Sequence, residues 1–167
     1  LDSNRLYQKT ESTNLTTGIK ITENKNDVSI IATAGSVCGF NGWGISLEGG
    51  NVNVNVEGVT VSGCGSEERV AENHVDGGIK LGSTSSRVSN VLIKDVVIRD
   101  TKNWGIAGSF STNLTIEDTL VENIYSVAPT GTSVAGIDLV QPIVLDNAGT
   151  DVRASNFVMN RTNVRKI

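Results

Sequence analysis

The 167-residue chain is short of the residues that staple, plug or break most folds. It has two prolines (Pro129, Pro142), two cysteines (Cys38, Cys64), one histidine (His74) and 4% aromatic residues. Two cysteines are too few for a disulfide scaffold, and with a single histidine they are too few for a zinc site. No metal or cofactor is therefore expected. The scarcity of aromatics excludes a core built on large plugs. No apolar run is long enough to span a bilayer, so no membrane partner is expected. Neither sign of charge dominates: fourteen Lys+Arg face eighteen Asp+Glu, for a net charge of −4. The clustered basic surface that nucleic acid requires is missing. Eighteen glycines without matching prolines exclude collagen and proline-rich disorder. The remainder, rich in Val, Ile, Thr and Asn, reads as β structure with many tight turns. The first residues, Leu1-Asp2-Ser3, include neither a Met nor a basic or apolar leader. The expectation is one domain over 1–167, cut from a longer chain or freed of a leader.

What is present is a repeat. Asn or Asp precedes an apolar-x-apolar triplet, and a second such triplet follows. It is seen at Asp27-Val28-Ser29-Ile30 with Thr33-Ala34-Gly35, at Asn53-Val54-Asn55-Val56 with Val59-Thr60-Val61, and at Asn90-Val91-Leu92-Ile93 with Val96-Val97-Ile98. It returns at Asn113-Leu114-Thr115-Ile116 with Thr119-Leu120-Val121, and at Asp151-Val152-Arg153-Ala154 with Phe157-Val158-Met159. A Gly-Ile-x phrase interleaves with it at Gly18, Gly44, Gly78, Gly105 and Gly136. Each unit thus holds three short strands. Triplets this short do not build a sandwich or an ordinary barrel. They fit a coil of three strands that stacks on itself, rising about 4.8 Å per coil. Apolar positions then form internal ladders, and Asn or Asp serves the tight bends because it tolerates the left-handed conformation. The predicted fold is all-β: a right-handed parallel β-helix of about five to six coils.

The Asn-Val-x-Ile-x-x-Val-x-Ile phrase followed by Gly-Ile-x-Leu resembles the right-handed parallel β-helix of the pectin-lyase-like superfamily, over roughly residues 14–160. The resemblance implies a polysaccharide lyase, glycoside hydrolase, epimerase, phage tailspike or adhesin. It also implies a role for Asp138, because Gly136-Ile137-Asp138-Leu139 is similar to the Gly-Ile-Asp phrase of polysaccharide-degrading β-helices. There an acidic residue and Pro often follow, whereas here Val140-Gln141-Pro142 does.

The register makes further expectations. Cys38 lies ten residues after Val28 and Cys64 ten after Val54, which places them at one position of adjacent coils, as a bridge or as two stacked free thiols. The x of Gly-Ile-x points outward, giving a column of Lys20, Ser46, Lys80, Ala107 and Asp138. Trp43 and Trp104 share a neighbouring column, with Asn41 and Asn103 close by. An exposed Trp pair flanked by amides would hold sugar rings by face stacking; the other reading is that each Trp caps the apolar stack or lies under a loop. Glycoside hydrolysis needs two carboxylates, for which Asp138 could pair with Asp76 or Glu72. A lyase needs a base, and Lys80, His74 and Arg99 are available. The aliphatic middles Val97, Leu120 and Val158 suggest an outward stripe, covered by a loop or by sister chains in a homotrimer. The expectation is an extracellular or virion-surface protein that binds, and degrades, a polysaccharide. The alternative is a non-catalytic stalk, adhesin or tail-fibre segment.

Overall fold

A computed structural model describes residues 5–7, 17–65, 76–83, 86–108, 110–125, 135–138 and 155–166. Every described strand belongs to one of three parallel sheets, and no helix occurs among these residues. The glycine sheet stacks Ile19–Ile21, Ile45–Leu47, Gly77–Leu81, Trp104–Ala107 and Ala135–Asp138. The asparagine sheet stacks Asn26–Ile31, Val52–Glu57, Val88–Lys94, Ser111–Glu117 and Ser155–Asn160. The third sheet stacks Arg5–Tyr7, Ser36–Cys38, Thr60–Ser62, Val97–Arg99, Leu120–Glu122 and Asn163–Arg165. The chain visits the sheets in that order five times, winding a right-handed parallel β-helix.

The core is a set of columns. Ile19, Ile45, Ile79, Ile106 and Ile137 stand in register on the glycine sheet. Val28, Val54, Val91, Leu114 and Phe157 do so on the asparagine sheet. Val37, Val61, Ile98, Val121 and Val164 face them from the third. In the middle coils these side chains are fully buried, each worth about 1.5–3 kcal/mol of transfer free energy. β-Branched residues dominate because their stiff side chains pack on a pleated surface.

Two further columns hold the coil's shape. The first is glycine. A Cβ on Gly44 would lie 2.4 Å from Val61 Cγ1, and one on Gly105 would lie 2.5 Å from Val121 Cγ1 and 2.3 Å from the Gly136 carbonyl oxygen. The glycine sheet therefore enters each coil pressed against the third sheet, and the bore has no room for a side chain there. The second is the corner that opens the asparagine sheet. Asp27, Asn53, Asn90, Asn113 and Asn156 all have φ between 52° and 55°, the left-handed region that Asn and Asp tolerate best. Their side chains form an unbroken ladder. Asn53 Nδ2 donates to Asp27 Oδ1 (3.0 Å), Asn90 to Asn53 (3.0 Å), Asn113 to Asn90 (2.9 Å) and Asn156 to Asn113 (3.1 Å).

The structure shifts the first and last repeats. Ile31 pairs with Glu57 while Ser36 pairs with Thr60. The first coil therefore carries two extra residues at that corner, and its third-sheet strand is Ser36–Cys38 rather than the triplet at Thr33-Ala34-Gly35. At the other end Phe157-Val158-Met159 lies on the asparagine sheet, opposite Leu114-Thr115-Ile116. The ladder residue is Asn156, and Asp151 lies outside the described residues. The third-sheet column through Thr60, Val97 and Leu120 thus ends at Asn163, not Val158. Val97 and Leu120 are half-buried.

Two substitution pairs test these columns by urea unfolding. Gly105→Ala should cost about 3 kcal/mol because the new methyl overpacks the bore. Gly63→Ala, where φ is 61° but a Cβ would make only ordinary contact, 3.7 Å from the Gly39 nitrogen, should cost only about 1 kcal/mol of backbone strain. Equal losses would refute the narrow-bore account. Asn90→Ala should exceed Asn90→Gly by about 1 kcal/mol, since both delete two ladder bonds but only alanine strains the corner.

Candidate functional site

The column on the glycine sheet forms in the predicted register, but Ser46 and Ala107 within it are buried rather than outward-facing to solvent. Lys20 pairs with Ser46, Ser46 with Lys80, Lys80 with Ala107, and Ala107 with Asp138. Lys80 is half-exposed, and Asp138 is placed by its backbone. Lys80 and Asp138 stand two coils apart, about 10 Å. Glu72 and His74 lie outside the described residues.

The tryptophan column also forms, but not as an exposed pair. Trp104 stands opposite Gly77 and Ala135. Trp43 is one coil further, since the Gly44 amide donates to the Gly77 carbonyl (2.8 Å). Trp43 and Trp104 retain only 9% and 7% of their surface and pack with Ala107 into an apolar cluster separate from the main core. Gly77 lies between them, so no side chain separates the rings along the column. The expectation of two exposed stacking faces is corrected: each ring is already spent on packing.

One position earlier in the chain, the same stack holds Asp76 and Asn103. Both are buried, and Asn103 Nδ2 donates to Asp76 Oδ1 at 2.8 Å. Asn103 reaches this position through a left-handed φ of 64°. On these two consecutive residues, the buried atoms Asn103 Oδ1 and Trp104 Nε1 find no hydrogen-bond partner among the described residues. Of the sequence candidates, then, Trp43, Trp104, Asn103 and Asp76 gather on one covered face, with Lys80 at its margin. Asn41 is half-buried. Among the described residues no three His, Cys, Asp or Glu side chains converge as a metal site would need.

The cysteines occupy different positions. Cys38 pairs with Ser62, whereas Cys64 falls beside Phe40, because Gly65 N–H donates to the Phe40 carbonyl. The two extra residues of the first coil produce this offset, which overturns the aligned-cysteine expectation. The two cysteines are not bridged to each other; Cys38 is half-buried and Cys64 buried. Burial pushes the Cys64 thiol up to about 11. Sequence reasoning also missed Asn51, a fully buried corner residue. Its Oδ1 accepts from Lys25 N–H (2.7 Å), and its Nδ2 donates to the Glu48 carbonyl (2.6 Å). Its only signal was an extra Asn just before a strand.

Asp76→Ala should destabilise the protein by about 1–3 kcal/mol, because Asn103 Nδ2 loses its buried acceptor; unchanged urea unfolding would refute the pairing. Cys64 should make stability fall between pH 9 and about 11. The unfolded thiol ionises first as pH rises, so the folded state loses its advantage across that window. Cys64→Ala should flatten that part of the pH profile relative to the parent chain. Comparison with known proteins adds no relative: no family model, curated protein or solved structure matches the chain.

Proposed function

We propose that this chain is a non-catalytic segment of a parallel β-helix, of the stalk, adhesin or tail-fibre kind, displayed outside the cell or on a virion. The observation that supports it best is the burial of Trp43, Trp104 and Asp76. Ring faces packed into a cluster are not offered to a sugar, and a carboxylate closed off beside Asn103 is poorly placed to exchange protons with a substrate. The likeness of the Asn-Val-x-Ile and Gly-Ile-x-Leu phrases to the pectin-lyase-like superfamily supports the same architecture.

A second reading keeps polysaccharide recognition and cleavage, with Asp138, Asp76, Glu72, His74 and Lys80 as candidate acid–base groups. It is favoured by one detail: Asn103 Oδ1 and Trp104 Nε1 are an acceptor and a donor without described partners, the pair that a sugar hydroxyl satisfies.

One screen separates the readings. Purified protein is incubated with capsular and plant polysaccharides, with reducing ends, unsaturated-product absorbance and tryptophan fluorescence followed together. The stalk reading expects no product and no change in emission. Reducing ends without unsaturated product would identify a hydrolase, reducing ends with unsaturated product a lyase, and an emission shift alone a binding protein; any of the three replaces the stalk reading with the second.

A further inference from the structure

Asparagine serves the corners of this fold, and it is also a chemically labile residue. The main-chain nitrogen of the next residue can attack its side-chain Cγ. A following side chain obstructs that approach; a glycine, with no Cβ, permits it. Of the seventeen asparagines only Asn41 is followed by glycine.

The ladder asparagines are guarded against this attack. A carboxylate only accepts hydrogen bonds, so Asp27 obliges Asn53 to donate to it. That choice propagates and gives the ladder a polarity: each Asn turns its NH₂ toward the preceding coil, and Asn53, Asn90 and Asn113 turn Oδ1 toward the following one. Swinging Cγ onto the main chain would break both bonds. The residues that would have to attack, Val54, Val91 and Leu114, are bulky and paired within strands. Asn51 and Asn103 are buried and hydrogen-bonded.

Asn41 is placed differently. It lies in the turn between Ser36–Cys38 and Ile45–Leu47, in no strand, and is half-buried. Among the described residues the Gly42 N–H donates to no main-chain carbonyl. The carbonyls on either side are held by one donor: Gly65 N–H bonds the Phe40 oxygen (2.9 Å) and the Gly42 oxygen (3.0 Å). Gly42 leads directly into Trp43, whose carbonyl accepts from Gly18 N–H (3.0 Å). A change of backbone length at residue 41 therefore falls between two pinned carbonyls, at the foot of the Trp43–Trp104 cluster.

We infer that Asn41-Gly42 is a self-modification site, at which Asn41 converts to isoaspartate with water as the only co-reactant and so loosens the Trp43–Trp104 cluster. The Gly42 nitrogen bonds to Asn41 Cγ, and its proton leaves with Nδ2 as ammonia, closing a five-membered imide. Water then opens the imide. Attack at the main-chain carbonyl of residue 41 leaves the chain running through Cγ, one carbon longer; attack at Cγ gives aspartate. Nothing is oxidised or reduced. The longer link cannot keep both Gly65 bonds. The inference holds whether the chain is a stalk or an enzyme.

The test incubates the intact protein in mildly alkaline buffer and follows it by peptide mapping, isoaspartyl methyltransferase labelling and tryptophan emission. The peptide holding Asn41 should be the first to gain about 1 Da, the swap of an NH₂ for an oxygen. The methyltransferase should label that peptide, and the isoaspartyl form, separated by its added charge, should emit to the red of the parent. Gly42→Ala should slow conversion about tenfold or more, since the methyl blocks the attack; Gly42 takes no left-handed φ, so its backbone accepts alanine. Asn41→Gln should abolish it with an unchanged circular dichroism spectrum. Asn41→Asp, which adds the charge without the extra carbon, should keep the parent emission. Earlier conversion of any other described asparagine, or an unchanged rate in Gly42→Ala, would overturn the site. Parent emission from the isoaspartyl form, or an equal shift in Asn41→Asp, would overturn its link to the tryptophans.

Discussion

Everything in this molecule follows from stacking each residue on its counterpart one coil away, at the spacing of paired strands. That distance is too short for unlike neighbours to adjust. A position that is apolar in one coil is apolar in the next, as in the Ile19–Ile137 column. A corner that is left-handed in one coil is left-handed in the next, as from Asp27 to Asn156. The glycine column is the strictest case, because it is constrained twice: along the axis by the carbonyl of the next coil, and across the bore by a Val or Ile of the third sheet. The bore is therefore filled mostly by Val, Ile and Leu, with Phe40 and Cys64 among the few exceptions, which is why so few aromatics are needed.

Surface chemistry obeys the same rule with alternating sign. Glu57, Lys94 and Glu117 follow one another in register, as do Arg99, Glu122 and Arg165. Opposite charges one strand apart favour the correct stacking, though each exposed pair adds little to stability by itself. Their value lies in selecting register, where a slip of one coil would bring like charges together.

How much of this was legible in the sequence depended on whether a signal lay within a coil or between coils. The Gly-Ile-x strands were placed correctly throughout, because Gly and Ile at those positions answer to strong local constraints, the narrow bore and the core column. The first four ladder corners were readable for the same reason. The misplacements came where an insertion altered the corner length. Thr33 and Ala34 read as part of an apolar triplet, but they are the two extra residues of that turn, and Cys38 moved with them. In the last coil Asp151 imitated a ladder residue and hid Asn156. Both errors arise because Asn, Asp and small apolar residues are common enough here to fit several registers, and only hydrogen bonding between coils selects one. The site was less legible still. Whether a tryptophan in an outward column stacks on a ligand or on another tryptophan depends on what covers the face, and the intervening Gly77 gave the only hint.

The polarity of the amide ladder leaves the molecule open to one kind of chemical ageing. Deamidation swaps an NH₂ for an oxygen with almost no change in volume, so it passes most packing constraints unnoticed. At Asn90 it would erase the bond donated to Asn53 yet keep the one received from Asn113, creating a second residue of the Asp27 kind in mid-ladder. One run of five would become two shorter runs, each pinned by its own carboxylate. Where the run begins is thus recorded in a single functional group, and a slow hydrolysis of any later member rewrites that record without unstacking a coil.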